Sequence, residues 1–144
     1  MPQFVYQRRV TFPETDLAGI VHFSNYYKYM EEAEHAFYRE LDLKIVHHND
    51  GEATIGWPRV SAQCQYLAPM HYDDVIDIHV DIERIGMKSI TWKMEFWKQD
   101  KCVARGKMKS ACCRCFPDGH LESIVIPPPF SERFKESDST ETSS

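Results

Sequence analysis

Long hydrophobic runs and an excess of positive charge are both absent from this sequence of 144 residues. No run of about 18 apolar residues could span a bilayer, and the N-terminal region lacks the apolar core of a signal peptide. The formal net charge is -5, whereas a general nucleic-acid binder needs a basic excess to neutralise phosphates. We therefore expect no membrane partner, no export signal and no nucleic-acid partner.

The sequence has few cysteines, and their number is odd. Five cysteines without a recognisable export signal favour reduced thiols in the cytoplasm over a disulfide framework. Successive residues of a strand point to opposite faces, so Cys112 points away from Cys113 and Cys115, and the three thiols do not form a closed zinc site. The histidines that we expect in loops, without a partner one helical turn away, are His47, His48 and His71. We therefore expect a cytoplasmic protein with no metal site.

The sequence does contain a clear change of periodicity within what its length suggests is one domain. From Phe23 to about Leu43, apolar residues recur at steps of three and four, the spacing of a long amphipathic helix whose acidic face is a solvated or an inter-subunit surface. Elsewhere the period is two, which is typical of strands with one buried face. The predicted strands are Gln3–Phe12, Val60–Tyr66, Ile76–Ile82, Ile90–Phe96 and Cys102–Phe116.

One helix and one sheet must bury their apolar faces against each other. We therefore predict an α+β fold in which an antiparallel sheet of about five strands is curled around one long central helix. In the strand near residue 60, the face formed by Val60, Ala62, Cys64 and Tyr66 is expected to lie on the core.

Two segments are predicted to lack a regular core role. Residues 42–57 are expected to be irregular, with Asp50 and Gly51 in a turn. After the prolines at 127–129, residues 131–144 are expected to form a flexible, polar, acidic tail, so the folded domain is predicted to span residues 1–130. In the last strand, the face running from Cys102 to Cys112 is built of small residues, which suits the close approach of a helix or a ligand.

The connection between the first strand and the helix carries an acid, a glycine and a histidine. Asp16 could act as a base or nucleophile while the free N–H groups at the helix start polarise a carbonyl oxygen. Gly19 would permit the turn that folds Asp16 back toward that helix end. The alternative is that Asp16 is only a turn or capping residue.

Two segments resemble one known family. Residues 16–26, DLAGIVHFSNY, closely resemble the D-x-A-G-[IV]-V-x-[FY]-x-N-Y signature of hotdog-fold acyl-CoA thioesterases of the 4-hydroxybenzoyl-CoA thioesterase family. Residues 66–74, YLAPMHYDD, are similar to the family's Y-L-x-P-x-x-Y-x-D segment. The resemblance covers Gln3 to Pro129, and it implies the hotdog fold and hydrolysis of an acyl-CoA thioester to a free acid and coenzyme A.

By this resemblance, the carboxylate of Asp16 attacks the thioester carbonyl or activates water, and the backbone N–H of Phe23 binds the oxyanion. His22 departs from the family's pattern, and it either orients the loop or donates a hydrogen bond to substrate or to Asp16. Gly19, Asn25 and Tyr26 match the motif and are expected at the substrate; the alternative is that Asn25 makes a local hydrogen bond and that Tyr26 belongs to the core face of the helix. The residues that would contact the coenzyme A phosphates, often from a neighbouring subunit, are Arg84, Lys88 and Ser89, and the alternative is that these are solvated turn residues.

The resemblance also implies the partners. We expect an acyl-CoA substrate, no cofactor other than the coenzyme A that is part of substrate and product, and a homo-oligomer that is a dimer at least, with a tetramer favoured. A non-catalytic acyl-CoA or acyl-carrier-binding hotdog module is the alternative. A hotdog hydratase would need a D-x-N-P-x-H string, which this sequence lacks. The acyl group is left open.

Overall fold

The computed structural model describes residues 1–45, 47–48 and 54–138. In chain order its elements are β1 (Phe4–Arg9), α1 (Asn25–Glu40), β2 (His47–His48), β3 (Thr54–Gly56), β4 (Arg59–Tyr66), β5 (Val75–Ile85), β6 (Ser89–Lys98), β7 (Lys101–Ala111), β8 (Cys113–Cys115), β9 (Leu121–Ser123) and α2 (Pro128–Ser131). A short 3-10 turn at Phe12–Glu14 follows β1.

The main sheet has five antiparallel strands in the order β1-β5-β6-β7-β4. Along β5 and β6 every second residue is buried, as the two-residue period predicts. The apolar face of α1, which includes Tyr26, Met30 and Phe37, is buried in the same core. The α+β fold and the five-stranded sheet around one long helix are therefore confirmed.

Glycine at position 106 of β7 makes room for a core side chain of the helix. A Cβ atom added to Gly106 would lie 2.2 Å from the Sδ atom of Met30 on α1. A larger residue at this point of β7 would therefore displace Met30 from its place in the core.

The prediction that one face of β4 is covered by the core is wrong for the single chain. Val60 and Tyr66 are 59% and 43% exposed, and Ala62 is exposed as well, whereas Cys64 is half-buried against the core. β4 is an edge strand whose only neighbour in the sheet is β7. Its alternating pattern therefore describes a face that is only partly covered in the single chain, at Cys64 and where the Tyr66 ring meets Tyr26 of α1.

A buried ion pair joins this edge strand to the helix. Glu34 of α1 is only 1% exposed, and its carboxylate accepts hydrogen bonds of 2.9 and 3.1 Å from the guanidinium of Arg59 at the start of β4. Arg59 also donates to the hydroxyl of Ser110 on β7 at 2.9 Å. The acidic face of α1 is thus not wholly solvated, because a buried carboxylate is tolerated where a cation pairs with it.

A second sheet of four short strands includes part of the segment, residues 42–57, that the sequence predicted to be irregular. Its order is β2-β3-β8-β9, and the strands from that segment are β2, which contains His47 and His48, and β3. Those two histidines are therefore in a strand and not in a loop. The strand predicted to run to Phe116 ends at Ala111, and β8 resumes in this other sheet. The predicted turn at Asp50 and Gly51 lies outside the described residues.

The segment expected to be a flexible tail begins with packed structure. Phe130 of α2 and Phe134 are buried, and the Phe134 ring lies 5.3 Å from that of Tyr38 and 5.9 Å from that of Trp92. The backbone N–H of Ser137 donates to the carbonyl of Ile82 at 2.7 Å. The folded part of the chain therefore continues past residue 130 to residue 138, and residues 139–144 are not described. No helix among the described residues is long and apolar enough to cross a membrane.

Candidate active site

The loop that carries Asp16 is closed by its own backbone. Thr15 and Val21 form an isolated antiparallel bridge. The Asp16 N–H donates to the Ile20 carbonyl at 2.9 Å, and the Gly19 N–H donates to the Asp16 carbonyl at 2.9 Å. Gly19 has φ of +80°, a left-handed conformation that glycine adopts without strain. The sequence-predicted turn at Gly19 is therefore present, and it holds Asp16 in one place.

The Asp16 side chain has one oxygen available for chemistry. Its Oδ1 atom accepts a hydrogen bond of 2.8 Å from the Ala18 N–H. No partner for the other oxygen is found among residues 1–45, 47–48 and 54–138, and the residue is exposed. A carboxylate fixed by one oxygen and open at the other has the geometry that a nucleophile or general base requires.

The start of α1 lies across from this carboxylate. The helix begins at Asn25 after Ser24, whose side chain makes no capping hydrogen bond. Within the described part of the chain, no acceptor faces the backbone N–H of Phe23, whose aromatic side chain is itself exposed. An N–H group that is free at a helix start can donate to an oxyanion.

Asp16 and Phe23 line the same pocket, of about 480 Å³. The other residues of its wall are Ile20, Val21, Tyr26, Tyr66, Leu67, Ala68 and Pro69. The rings of Tyr26 and Tyr66 meet edge to face at 4.7 Å, and the Tyr66 hydroxyl donates to the Phe23 carbonyl at 3.2 Å. The pocket therefore combines a carboxylate, a free N–H group and a largely apolar wall that includes three aromatic rings.

The two tyrosines of the pocket are neutral near pH 7. Burial raises the pKa of Tyr26 to about 12, and burial together with a hydrogen bond to Tyr27 raises the pKa of Tyr66 to about 12. Their hydroxyl groups can donate or accept hydrogen bonds but are too weakly acidic to ionise. Among the residues that line the pocket, the acidic side chain is therefore that of Asp16.

Glu14 ties the loop to the rest of the protein. Its carboxylate accepts hydrogen bonds from Arg8 of β1 at 2.6 Å and from the Tyr29 hydroxyl of α1 at 2.7 Å. Its backbone carbonyl accepts from the His22 N–H and from the side chain of Asn25, both at 2.9 Å. Burial favours a higher pKa for Glu14, but the hydrogen bonds to its carboxylate outweigh burial and lower the pKa to about 2.

The sequence-predicted residues fall into three places. Asp16, Phe23 and Tyr26 line the pocket, and Gly19 shapes the loop. Asn25, expected at the substrate, is buried and its amide holds the Glu14 carbonyl. His22 is exposed and its Nδ1 atom lies 2.8 Å from the Ser24 hydroxyl, with no contact to Asp16. This favours the loop-orienting alternative for His22.

The predicted coenzyme A contacts lie elsewhere in the single chain. The pocket is at the end of the sheet where β5 begins, because Ile20 pairs with His71 and Val10 bonds to Asp74. Arg84 lies nine residues beyond Val75, the first residue of β5, which is roughly 30 Å along the strand at about 3.3 Å per residue. Lys88 and Ser89 follow it in the turn and at the start of β6. One copy does not bring these three residues to its own pocket.

Sequence reasoning missed Glu14 and the wall formed by residues 66–69. A signal for Glu14 exists, because Thr11 and Glu14 have the S/T-x-x-E spacing of a capping box. The Thr11 N–H indeed donates to the Glu14 carboxylate at 2.8 Å. Among the described residues, no group of three or more His, Cys, Asp or Glu side chains could hold a metal ion.

Comparison with known proteins gives consistent results. The family model of the thioesterase superfamily matches residues 18–104. A relative from Aquifex aeolicus (strain VF5), named only as a provisional esterase, is 37% identical over 121 residues, which cover 84% of this chain and 91% of the relative. The 4-hydroxybenzoyl-CoA thioesterase of Pseudomonas sp. (strain CBS-3) is 31% identical over 84 residues, covering 58% of this chain and 60% of that enzyme.

The solved structures give the same architecture. The structure of BH1999 gentisyl-coenzyme A thioesterase superposes with a TM-score of 0.74 at 34% identity. The match covers 88% of this chain and 98% of that enzyme.

Proposed function

Since the chain belongs to the thioesterase superfamily and has its hotdog fold, we propose that Asp16 is the residue with which it hydrolyses a coenzyme A thioester. The observation that carries the proposal is the shared pocket: the open oxygen of Asp16 and the free N–H of Phe23 line the same wall. Thioester hydrolysis needs little more, because a thiolate is a good leaving group and needs little help from a general acid.

The Phe23 N–H would hold the carbonyl oxygen as negative charge develops on it. Loss of one donor of this kind typically costs about 100 to 1,000-fold in rate. The Asp16 oxygen then has two routes. In the first it attacks the carbonyl carbon, the C–S bond breaks, coenzyme A leaves as thiolate, and water hydrolyses the resulting anhydride. In the second it removes a proton from the water that attacks the carbon directly.

The direct test compares Asp16→Asn with the matched control Asp73→Asn. Asp73 is an exposed aspartate at the same end of the sheet, paired with Arg9 and outside the pocket wall. We expect kcat to fall about 100 to 10,000-fold for Asp16→Asn, the range for loss of a base or acid group, and to stay within twofold for Asp73→Asn. Wild-type kcat/KM in Asp16→Asn would remove Asp16 from the mechanism.

The two routes leave different isotopic traces. In a single turnover in H2¹⁸O, ¹⁸O in the Asp16 carboxylate identifies nucleophilic attack, because it arises when water attacks the aspartyl carbonyl of the anhydride and the general-base route forms no anhydride. Label in the released acid alone arises from the general-base route or from attack of water on the acyl carbonyl, and trapping of the anhydride separates these two cases. The alternative function, a non-catalytic binding module, predicts tight binding of the thioester with no release of free thiol by the wild-type protein.

We propose an aromatic acyl group for the substrate. The pocket wall contains Phe23, Tyr26 and Tyr66, whose rings can pack against another ring at the distances typical of aromatic pairs. Two of the relatives described above are named as thioesterases of gentisyl-CoA and 4-hydroxybenzoyl-CoA. A panel of benzoyl-CoA thioesters and straight-chain acyl-CoA thioesters of equal carbon number tests this. Higher kcat/KM for the straight chains would contradict it.

We also propose that the working unit is a homodimer at least, in the cytoplasm, where its five free cysteines stay reduced. The pocket opens beside the unpaired edge of β4, and the exposed Val60 and Tyr66 offer apolar surface there. A second copy could cover this edge and bring Arg84 and Lys88, which one chain keeps away from its own pocket.

Mixing two inactive variants tests this sharing. Asp16→Asn lacks the carboxylate, and the double variant Arg84→Ala/Lys88→Ala lacks the cations but keeps Asp16. If the turn of one copy serves the pocket of the other, hybrid dimers contain one complete site and the low KM for the CoA thioester returns. No recovery after confirmed subunit exchange, or a monomeric mass with full activity, would contradict the shared site.

A further inference from the structure

We infer that Glu14, clamped by Arg8, is a positioning residue that holds the Asp16 carboxylate and the Phe23 N–H in register across the pocket. This inference rests on the proposed role of Asp16. Glu14 does not line the pocket. It would act on the reaction only through the two residues that do.

The side chain of Glu14 is fixed by four donors from three elements. The Arg8 guanidinium donates at 2.6 Å to one carboxylate oxygen and at 2.5 Å to the other. The Thr11 N–H donates at 2.8 Å and the Tyr29 hydroxyl at 2.7 Å, both to Oε1. A two-pronged bond from arginine fixes the direction of a carboxylate as well as its distance. The residue is therefore locked to β1, to the 3-10 turn and to α1 at once.

The backbone of the same residue holds the helix start. The Glu14 carbonyl accepts from the His22 N–H and from the Asn25 amide, each at 2.9 Å. His22 immediately precedes Phe23 in the chain, and Asp16 follows Glu14 by two residues. Displacement of Glu14 would therefore reach Asp16 along two residues of backbone, and it would reach Phe23 through the bonds that the Glu14 carbonyl accepts from His22 and Asn25.

Arg8 is itself held from two sides. It bonds to Glu32 of α1 at 2.9 Å, and its guanidinium lies 4.6 Å from the centre of the Tyr29 ring. The hydrogen bonds to the carboxylate outweigh burial and lower the pKa of Glu14 to about 2, so the clamp stays charged throughout the neutral pH range.

Glu32 provides a matched control. It forms the other ion pair with Arg8, at 2.9 and 3.1 Å, and accepts from the Tyr6 hydroxyl at 3.3 Å. It makes none of these bonds to the Asp16 loop or to the residues that precede α1. Replacing either glutamate by glutamine removes one charged partner of Arg8 and keeps the shape of the side chain. Only Glu14→Gln disturbs the loop.

The experiment measures kcat, KM and the affinity for a non-hydrolysable thioether analogue of the substrate in Glu14→Gln, Glu14→Asp, Glu32→Gln and Asp16→Asn. We expect Glu14→Gln to lower kcat at least tenfold, with KM and analogue affinity within about threefold. Glu32→Gln should keep kcat within twofold. Glu14→Asp, which keeps the charge, should recover part of the loss. A purely structural role would lower kcat and analogue affinity together and would spare neither glutamine variant.

If Glu14→Gln does not yield folded protein, Tyr29→Phe replaces it, because it removes only the 2.7 Å bond to Glu14. We expect a threefold or larger fall in kcat at unchanged KM. Wild-type kcat in whichever of the two variants is folded overturns the positioning role if Asp16→Asn is inactive. If Asp16→Asn is fully active, the proposed function itself fails.

Discussion

Substituting Gly106 by alanine should destabilise the protein by an amount that the helix contact determines. The new Cβ would lie 2.2 Å from Met30 Sδ, 3.1 Å from Met30 Cε and 3.3 Å from the Gln63 carbonyl oxygen. Normal heavy-atom contacts are about 3.5 to 4.0 Å, so the sulfur would have to retreat by roughly 1.3 to 1.8 Å. Met30 is completely buried and has no empty space to enter at normal core density.

Two opposing terms set the size of the effect. Overpacking a core typically costs about 1 to 3 kcal/mol. The new Cβ and the sulfur would overlap by more than an ångström, which places this site in the upper half of that range. Alanine in a strand regains about 0.5 to 1 kcal/mol that glycine loses in backbone entropy. We therefore expect a net loss of about 1 to 2.5 kcal/mol in the free energy of unfolding, measured by urea denaturation with tryptophan fluorescence.

A double-mutant cycle with Met30→Ala tests the cause. Met30→Ala alone should cost about 2 to 5 kcal/mol because it leaves a cavity. In that background the alanine at position 106 meets no sulfur and partly fills the cavity, so it should cost nothing or stabilise, which corresponds to a coupling energy of about 1 kcal/mol or more. Equal costs of Gly106→Ala in both backgrounds would refute the argument that helix contact excludes a side chain.

Three further outcomes follow from the described contacts. Phe134→Ala should lower the free energy of unfolding by about 3 to 5 kcal/mol because a buried ring is lost, whereas the exposed control Glu132→Ala should change it by less than about 0.5 kcal/mol. Gly19→Ala should cost about 1 to 2 kcal/mol through its positive φ alone, since no atom lies within 4 Å of the added Cβ, and should lower kcat. The pKa of Glu14 is about 2, below its usual 4.5, so its ionisation stabilises the folded state above pH 4.5 and this contribution disappears as the pH falls through 2. The stability difference between wild type and Glu14→Gln, measured in urea from pH 7 to pH 2, should therefore be constant and then shrink; a difference independent of pH would contradict the clamp.

The periodicity of the sequence predicted the central part of the fold because that part obeys one simple pattern. Ile76, Ile78 and Trp92 alternate with polar residues, and all three are buried. The same alternation in β4 was misleading, because periodicity tells which residues share a face and not what covers it. Val60 has the right spacing but lies at an edge that α1 does not cover.

Other elements give too little signal for periodicity to detect. The strands β2, β3, β8 and β9 are two or three residues long, which is less than two periods of alternation. Phe134 stands almost alone in a polar segment, and only its contacts with Tyr38 and Trp92, distant in sequence, make it part of the core.

The candidate site likewise contains residues that are close together in the sequence and residues that only the fold brings together. A motif of consecutive residues placed Asp16 and Phe23 at one pocket, because the loop between them is short and closes on itself. Tyr66 and Pro69 reach the pocket from the far end of β4, and Arg8 reaches Glu14 from β1. These contacts depend on how strands are ordered in the sheet, which no local pattern encodes.

The edge strand β4 has a consequence for how defective variants would behave. Natural sheets protect an open edge with lysine, proline or a very short strand, and the eight residues of β4, RVSAQCQY, contain neither lysine nor proline. Such a strand can pair with any extended segment that it meets. We therefore expect substitutions that prevent the proposed pairing of two copies at β4 to yield precipitate and inclusion bodies in place of a soluble, inactive single chain. Solubility on expression would then report on assembly before any assay of turnover.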